Sequence, residues 1–381
     1  MATSFTADKE ALDTLSEDVG SLWCRPIAVL ECPPDALTFL RDFVHPNVPC
    51  IIRNAISDDA LRLGLDDVID RVGEEAVLTV NVTPDGYGDC VRDCSYTIDD
   101  DSSRTSATIR KVFVKPHEQQ MTLAKFRDLL RKESKVDKCK NSEEELDVYH
   151  ICSTTKGSDE GRTKTRRRAS PVVYYSKQSD CLRTEMNELF STNIFPESFH
   201  FAEEAFGTGP PDAVNLWIGN ERSVSSCHKD FYENLFLVVS GQKEFVLNPP
   251  ADHLFLHEGE FPCATFTPAG AEMNEWAVTL DQDDGGSDSP KEVKTKWIEP
   301  DTKKDTSEKF PLLAKSHPMK VLVSEGEMIY IPSMWYHRVT QTCETLGVNW
   351  WYDMNFMSPH WCYFNFVQHL SKPEAHPDKR S

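Results

Sequence analysis

The sequence predicts a mainly β fold with flanking helices. Short apolar runs bounded by turn residues indicate buried strands at 235–239, 326–332 and 347–352. Apolar residues at helical spacing near the start, and an aromatic segment at 357–370, indicate helices on both sides of these strands. With 381 residues, of which 39% are hydrophobic, the chain is long enough for one large domain or two modest ones.

Two helices are expected before the first strands. Apolar residues at helical spacing predict an amphipathic helix over 8–23, used for core packing or for a dimer contact. A second helix is expected to begin at Asp35, directly after a pair of prolines. Its apolar side is predicted to consist of Leu37, Leu40 and Phe43.

His228 and Asp230 precede an apolar run and form the first candidate site. Residues two apart on an extended strand point to the same face, so the imidazole and the carboxylate are expected to face one point. Together they supply two-thirds of the 2-His-1-carboxylate triad that holds non-haem Fe(II). The alternative is a hydrogen-bonded core histidine, because the same tripeptide pattern also occurs at 376–378, in a polar tail.

A second pair of strands supplies a third candidate ligand. The segment 326–339 predicts a strand, a turn at its proline, and another strand that carries His337. The next apolar run, 347–352, contains the polar residue Asn349. A buried amide needs hydrogen-bonding partners, which either a small polar ligand or the protein core can supply.

These segments, taken in order, resemble the jumonji-C (JmjC) family of the cupin superfamily. The resemblance runs from about residue 22 to the end, is interrupted by inserts, and is carried by residues 49–55, 82–87, 211–219, 228–235, 238–245, 326–332 and 348–354. Members of this family are Fe(II)- and 2-oxoglutarate-dependent oxygenases. The resemblance therefore implies a double-stranded β-helix, also called a jelly-roll or cupin-like barrel.

The resemblance also implies a role for individual residues. His228, Asp230 and His337 match the iron ligands. Lys243 matches the lysine that binds the far carboxylate of 2-oxoglutarate, a task that suits a compact cation on a flexible stem. The residues that match polar positions around this co-substrate are Ser225, Asn234, Asn349 and Tyr174. Tyr232 is expected on the same strand face as His228 and Asp230, as a candidate to position these two ligands. The resemblance also implies O2 as the second co-substrate.

Composition and the resemblance together divide the chain into three regions. Residues 1–170 are predicted to be an N-terminal region of helices and strands that packs on the barrel, with a mobile insert at about 132–170. Residues 171–356 are predicted to form the JmjC barrel. Its polar insert at about 281–309 is expected to be a surface loop, with a substrate lid as the alternative. Residues 357–381 are predicted to be a helical segment and a polar tail.

Charge and cysteine usage limit the partners and the compartment. The net charge of −21 argues against direct nucleic-acid binding and is compatible with a basic protein substrate or with ordinary solubility. The twelve cysteines include no Cys-x-x-Cys pair, so a zinc site or disulfide framework is not expected. The sequence shows no secretory signal and no apolar run of membrane-spanning length. We expect a cytoplasmic protein, with the nucleus as a second compartment.

The resemblance extends to a subfamily that hydroxylates a lysine side chain in a translation-associated GTP-binding protein of the developmentally regulated class. It therefore implies a protein substrate with a target lysine. JmjC proteins often dimerise through C-terminal helices, so a homodimer is expected. The candidate interface residues are Trp361, Phe364 and Phe366, and the alternative for them is packing against the barrel.

Three other functions remain open at this stage. The first is N-methyl-lysine demethylation by the same oxidation. The second is an endopeptidase that acts on histone tails, with Glu233 as a possible base. The third is a cupin fold used only for binding, against which the complete ligand set and Lys243 both argue. A requirement for 2-oxoglutarate separates an oxygenase from a protease or a binding module.

Overall fold

The computed structural model of the protein describes residues 9–56, 63–99, 105–133, 149–152, 167–168, 170–269, 273–283, 291–305 and 308–370. The α-helices are α1 (Lys9–Leu22), α2 (Ala36–Phe39), α3 (Leu65–Val72), α4 (Leu123–Glu133), α5 (Asn187–Phe190), α6 (His200–Phe206) and α7 (Pro359–Leu370). A π-helical turn, Leu40–Val44, continues α2, and 3₁₀ turns lie at Pro250–Phe255 and Pro311–Lys315. Among the described helices, none combines the length and apolar composition that crossing a bilayer requires.

The strands are β1 (Ala28–Leu30), β2 (Cys50–Arg53), β3 (Val77–Thr83), β4 (Cys90–Asp99), β5 (Thr105–Lys115), β6 (His117–Thr122), β7 (Tyr149–Cys152), β8 (Arg167–Arg168), β9 (Val172–Tyr174), β10 (Ala213–Gly219), β11 (Val224–Lys229), β12 (Tyr232–Ser240), β13 (Gln242–Asn248), β14 (Glu258–Ala269), β15 (Glu275–Leu280), β16 (Gln282–Asp283), β17 (Lys291–Glu292), β18 (Lys294–Ile298), β19 (Met319–Ser324), β20 (Glu327–Ile331), β21 (Tyr336–Gln341) and β22 (Thr345–Asp353).

The predicted mainly β, jelly-roll fold is confirmed. The larger sheet has the strand order β1-β2-β20-β12-β22-β10, and the smaller sheet has the order β11-β21-β13-β19. All pairs in the two sheets are antiparallel except β1 with β2. Apolar side chains of both sheets, such as Phe236, Phe245 and Val339, form one core cluster between them. Helices α2 and α6 pack over the other face of the larger sheet, where Phe39 contacts Tyr330 with ring centroids 4.9 Å apart.

A second, smaller barrel is attached to the jelly roll and was not predicted. β14 bonds to β5, β5 to β4, β4 to β7, β7 to β15, and β15 returns to β14, which closes a ring of five strands. Buried side chains from these strands include Cys94, Val114, Phe266 and Trp276. β18 is added to the outside of this ring by antiparallel pairing with β14.

The two predicted inserts contribute strands to this second barrel. Within 132–170, the described residues are the end of α4, β7, β8 and Ser170, and β7 pairs in parallel with β4 and with β15. Residues 149–152 therefore do not fit a mobile insert, and the rest of that prediction lies outside the described residues. Within 281–309, β18 is a paired strand with Ile298 buried, rather than part of a surface loop. Residues 284–290 and 306–307 lie outside the described residues.

The predicted apolar side of the second helix is wrong in part. Asp35 caps α2 as expected, since its Oδ1 accepts from the backbone N of Thr38 at 2.9 Å. However, the buried aromatic pair is Phe39 and Phe43, whereas Leu37 is 69% exposed. Leu40, which begins the π-helical turn, is 39% exposed. The two phenylalanines face α6 and the larger sheet. Which side of the helix is buried therefore depends on packing against elements that are distant in the sequence.

Helix α7 divides the three aromatic residues proposed for a dimer interface. Phe364 is buried and packs against His253 and Tyr336. Trp361 is partly buried and packs edge-on against other rings, whereas Phe366 is 61% exposed. Packing against the barrel therefore accounts for Phe364, and an intermolecular contact remains open for Phe366.

The turn between β12 and β13 depends on Gly241. Its φ is +82°, a conformation that side chains with a Cβ rarely adopt. An added Cβ would lie 2.5 Å from the backbone oxygen of Glu344 and 2.6 Å from Thr345 Oγ1. This glycine therefore allows two neighbouring turns to pack closely at the end of the sheets.

We expect Gly241→Ala to lower the free energy of unfolding by about 2–4 kcal/mol, because backbone strain and steric overlap add. Gly207→Ala is the matched control, since Gly207 has φ +69° but no atoms within 4 Å of the added Cβ. It should lose only about 1 kcal/mol. Chemical denaturation of both variants tests this, and equal losses would contradict the steric part of the argument.

Candidate active site

Strands β11 and β21 place His228 directly opposite His337. The two residues are antiparallel partners, after a register shift in β11 between Ser225 and His228, and their ring centroids are 4.3 Å apart. Asp230 lies just beyond the end of β11, not on the strand as predicted. Its backbone oxygen accepts from the backbone N of Met334 at 2.9 Å, which fixes the short connection to β12.

The three side chains converge on one point. Asp230 Oδ2 lies 3.5 Å from His337 Nε2 and 3.9 Å from His228 Nε2. The candidate ligand atoms of the three residues all lie within 4.8 Å of one another. Two imidazoles and one carboxylate, with no thiolate, are the donor set that binds non-haem Fe(II) and leaves coordination positions open.

Backbone carbonyls hold both imidazoles in the tautomer that metal binding needs. His228 Nδ1 lies 2.7 Å from the carbonyl oxygen of Ser226, and His337 Nδ1 lies 3.0 Å from that of Trp335. A carbonyl oxygen can only accept, so each Nδ1 carries the proton and donates it. Each Nε2 is left with a lone pair for a metal, and in both cases the partner is the residue two positions earlier.

The electrostatics favour the protonation states of metal ligands. Burial, together with the nearby His337, lowers the pKa of His228 to about 4, so this ring is neutral near pH 7. Burial alone would raise the pKa of Asp230, but its proximity to the side chains of His337 and His228 holds that pKa below the ordinary value. The neutral imidazole of His228 beside the ionised carboxylate of Asp230 is ready to coordinate a cation without first releasing a proton.

Lys243 lies in the same pocket as the triad, and its side chain is fully buried. Both Lys243 and the three candidate ligands line this pocket. Lys243 Nζ donates to Tyr174 Oη at 3.4 Å and lies 5.3 Å from the ring centroid of Phe236. In the described part of the chain, no carboxylate lies within ion-pair distance of this ammonium. Burial lowers the pKa of Lys243 to about 7.

The other predicted co-substrate contacts line this pocket as well. They are Ser225, Asn234, Asn349 and Tyr174. Asn349 already has partners: its Oδ1 accepts from Trp217 Nε1 at 2.8 Å, and its Nδ2 donates to Asn234 Oδ1 at 3.1 Å. Burial raises the pKa of Tyr174, although the nearby side chains of Ser225 and Gln341 act to lower that pKa, so this hydroxyl stays protonated and can donate.

Comparison with known proteins assigns this chain to a family. A family model described as a cupin-like domain matches residues 36–358. The human bifunctional peptidase and (3S)-lysyl hydroxylase JMJD7 is 33% identical over 353 residues, which cover 92% of this chain and 91% of that protein. The chain belongs to the cupin-like JmjC family. This is a family of Fe(II)- and 2-oxoglutarate-dependent oxygenases.

Two further JmjC relatives align over most of their length. JmjC domain-containing protein E of Dictyostelium discoideum is 31% identical over 89% of this chain and 87% of that protein. The lysine-specific demethylase JMJ32 of Arabidopsis thaliana is 33% identical over 88% of this chain and 84% of that protein. The names of the human and Arabidopsis relatives state different reactions.

Trp297, from the second insert, is part of this JmjC site and was missed from the sequence. Its ring stacks on His228 with an interplanar angle of 3° and ring centroids 5.7 Å apart. Its Nε1 donates to Ser226 Oγ at 2.9 Å. Asp301 ties the same insert to β21, because Arg338, the residue after His337, donates from Nε to Asp301 Oδ1 at 2.9 Å. No local sequence pattern indicates either contact.

Tyr232 and Glu233 do not line the pocket of the JmjC site. Tyr232 stacks on Trp351, which does line it, and donates its hydroxyl to Asp212 Oδ2 at 3.1 Å. The Tyr232 side chain therefore supports the pocket wall rather than the three ligands. Glu233 accepts hydrogen bonds from Tyr330 Oη at 2.6 Å and from Ser333 Oγ at 2.8 Å. It belongs to a different cavity, so the prediction of Glu233 as a base beside the metal ligands is wrong.

We expect Trp297→Ala to weaken divalent metal binding about 10- to 100-fold, because His228 loses the ring that orients it. Titration with Mn(II), followed by the change in water proton relaxation, measures the dissociation constant. Lys296→Ala is the matched control, because Lys296 is the exposed neighbour on the same strand and should leave metal binding unchanged. Equal metal affinity in the two variants would refute the orienting role of Trp297.

Proposed function

We propose that this protein hydroxylates a lysine side chain of a protein substrate, using Fe(II), 2-oxoglutarate and O2. The observation that carries the proposal is the pairing of two features in one pocket. One is the triad of His228, Asp230 and His337, with a lone pair of each imidazole directed inward. The other is the buried ammonium of Lys243, which has no counter-ion in the described part of the chain.

The Lys243 side of the pocket fits the distal carboxylate of 2-oxoglutarate. A buried charge without a partner is costly, and an anion that enters with the co-substrate would remove that cost. Lys243 would supply the cation, while the protonated hydroxyl of Tyr174 would donate a hydrogen bond to the same carboxylate. The rigid walls around them, including Trp217 and Phe245, would exclude water from the co-substrate.

The triad would hold the metal and leave positions for the keto-acid end of the co-substrate and for O2. The bound iron supplies the redox chemistry, in which oxidative decarboxylation of 2-oxoglutarate to succinate and CO2 is coupled to hydroxylation of a substrate C–H bond. The contribution of the chain is to fix the ligand tautomers, to neutralise the co-substrate and to orient His228 through Trp297.

The relatives and the sequence resemblance support the choice of substrate. The human relative is named a (3S)-lysyl hydroxylase, and it aligns over nearly its whole length. We propose a translation-associated GTP-binding protein of the developmentally regulated class as the partner, which the net charge of −21 would suit if the target segment is basic. We also propose a cytoplasmic protein, with the nucleus as a second compartment.

We propose a homodimer that uses α7. Its exposed aromatic residues are Tyr363 at 73% and Phe366 at 61%, and Met357, two residues before the helix, is 92% exposed. Apolar side chains at this exposure are typical of surfaces that become covered in an assembly.

A second candidate function is N-methyl-lysine demethylation, favoured by the name of the Arabidopsis relative. It needs the same metal, the same co-substrate and the same pocket, and differs only in which carbon is oxidised. Peptidase activity, which the name of the human relative includes, has less support here. The carboxylate predicted as its base, that of Glu233, lies outside the pocket.

Mass spectrometry of a recombinant GTP-binding protein of the developmentally regulated class tests the reaction. After incubation with enzyme, Fe(II) and 2-oxoglutarate, we expect one lysine to gain one oxygen atom. Asp230→Ala should reduce this product below detection, because one metal ligand is lost. Asp128→Ala, an exposed carboxylate change on α4, should keep full activity.

Other outcomes of this experiment favour other functions. Loss of methyl groups from methylated lysine would favour the demethylase. Fragments formed without 2-oxoglutarate would favour the peptidase. Full activity of Asp230→Ala would refute the assignment of the triad as the metal ligands.

Binding of 2-oxoglutarate should be coupled to proton uptake above pH 7. With a pKa of about 7, Lys243 is mostly uncharged at about pH 8.5, and a carboxylate beside it favours the ammonium. We expect uptake of about one proton per molecule bound at that pH, little uptake at about pH 5.5, and an affinity that falls as the pH rises through 7. Calorimetric titration of the Mn(II)-loaded protein in buffers of different ionisation enthalpy gives the proton count. Binding without uptake at the higher pH would contradict this account of Lys243.

A further inference from the structure

A second chamber reaches two of the three candidate metal ligands. It shares His228, Asp230 and Ser225 with the co-substrate pocket, and it continues outward past Ser176 to Asp89. Since Lys243 lines only the inner pocket, the outer chamber is the space through which a substrate side chain would reach the metal ligands. Apart from the triad carboxylate, Asp89 is the one carboxylate among the described residues that line this chamber.

The backbone around Asp89 is held firmly against β11. Tyr87 pairs in parallel with Val224, and the backbone N of Gly88 donates to the backbone oxygen of Val224 at 2.8 Å. Ser226 Oγ donates to the backbone oxygen of Asp89 at 2.5 Å and accepts from Trp297 Nε1. Asp89 is therefore fixed beside the residue whose carbonyl orients His228, and its position relative to the metal ligands is set by the main chain.

The Asp89 side chain has no counter-ion in the described part of the chain. The nearby cation Lys115 forms its ion pair with Asp281 Oδ2 at 2.7 Å, and Arg92 forms its own with Asp85. Burial raises the pKa of Asp89 to about 6, although the charge of Lys115 opposes that rise. Asp89 in the outer chamber therefore lacks a cation, just as the buried Lys243 in the inner pocket lacks an anion. In both cases a ligand of opposite charge would offset the cost of the unpaired group.

We infer that Asp89 binds the side-chain ammonium of the target lysine and so selects a cationic residue for oxidation. This inference rests on the proposed function, and it adds the residue that recognises the substrate. In lysine, the amine lies four bonds beyond carbon 3, so one end of an extended side chain can meet Asp89 while another carbon faces the triad. A carboxylate that accepts a charge-assisted hydrogen bond would favour lysine over neutral side chains of similar length.

The selectivity can be measured with two small probes of similar shape. Pentylammonium carries the charge and the donors of a lysine side chain, whereas pentanol carries neither the charge nor the three donors. We expect the Mn(II)-loaded protein to bind pentylammonium at least about tenfold more tightly than pentanol in NMR titrations. Asp89→Asn should lose most of this preference. It should also lower kcat/KM for the protein substrate by about 10- to 100-fold, mainly through KM.

Glu118→Gln is the matched control. Glu118 is exposed and close enough to affect the charge of Asp89, but it does not line the chamber. The Glu118→Gln substitution removes one negative charge, as Asp89→Asn does, and should keep the preference for pentylammonium. A cooperative thermal unfolding transition, measured for both variants, tests that each of them is folded. A preference for pentylammonium that persists in Asp89→Asn, or that is absent from the unmodified protein, would overturn the inference.

Failure of the proposed function gives a different result. The probe titrations need only Mn(II), so they test Asp89 even if 2-oxoglutarate does not bind. If the unmodified protein neither binds 2-oxoglutarate nor forms succinate, the oxygenase proposal fails. If it does both and Asp89→Asn discriminates as well as the unmodified protein, only the inference about Asp89 fails.

Discussion

The pairing of β11 with β21 is the constraint on which the site depends. It sets His228 opposite His337, and it places a carbonyl two residues before each ring within reach of Nδ1. One strand register therefore fixes the positions of two ligands and their tautomers together. A shift of one residue would turn one imidazole to the other face of the sheet, where it could no longer face its partner.

The jelly roll supplies the co-substrate pocket, whereas the outer chamber depends on elements added around it. Trp297 lies on β18, and Asp89 lies one residue before β4. Both contact Ser226, whose carbonyl holds His228. The proposed lysine contact at Asp89 and the orientation of the candidate ligand His228 thus share one short piece of backbone.

The fold class and the three candidate ligands could be predicted because their signals are local. Apolar runs and turns mark the strands, and His228 and His337 each lie beside such a run. Asp230 was expected on the strand but lies past its end, because the connection to β12 begins there. Trp297 could not be predicted, since it meets His228 only through the pairing of β18 with β14. The same holds for the small barrel, whose strands come from distant parts of the chain.

The closed ring of five strands joins parts of the chain that lie on either side of β10–β13. β4, β5 and β7 precede β10–β13 in sequence, whereas β14 and β15 follow them. The predicted boundary near residue 170 therefore cuts through a hydrogen-bonded ring, and neither side of that boundary is an excisable unit. During synthesis, the early strands of the ring must wait until the first half of the jelly roll has been made. Such non-local closure favours slow folding, because distant strands must meet before they can pair.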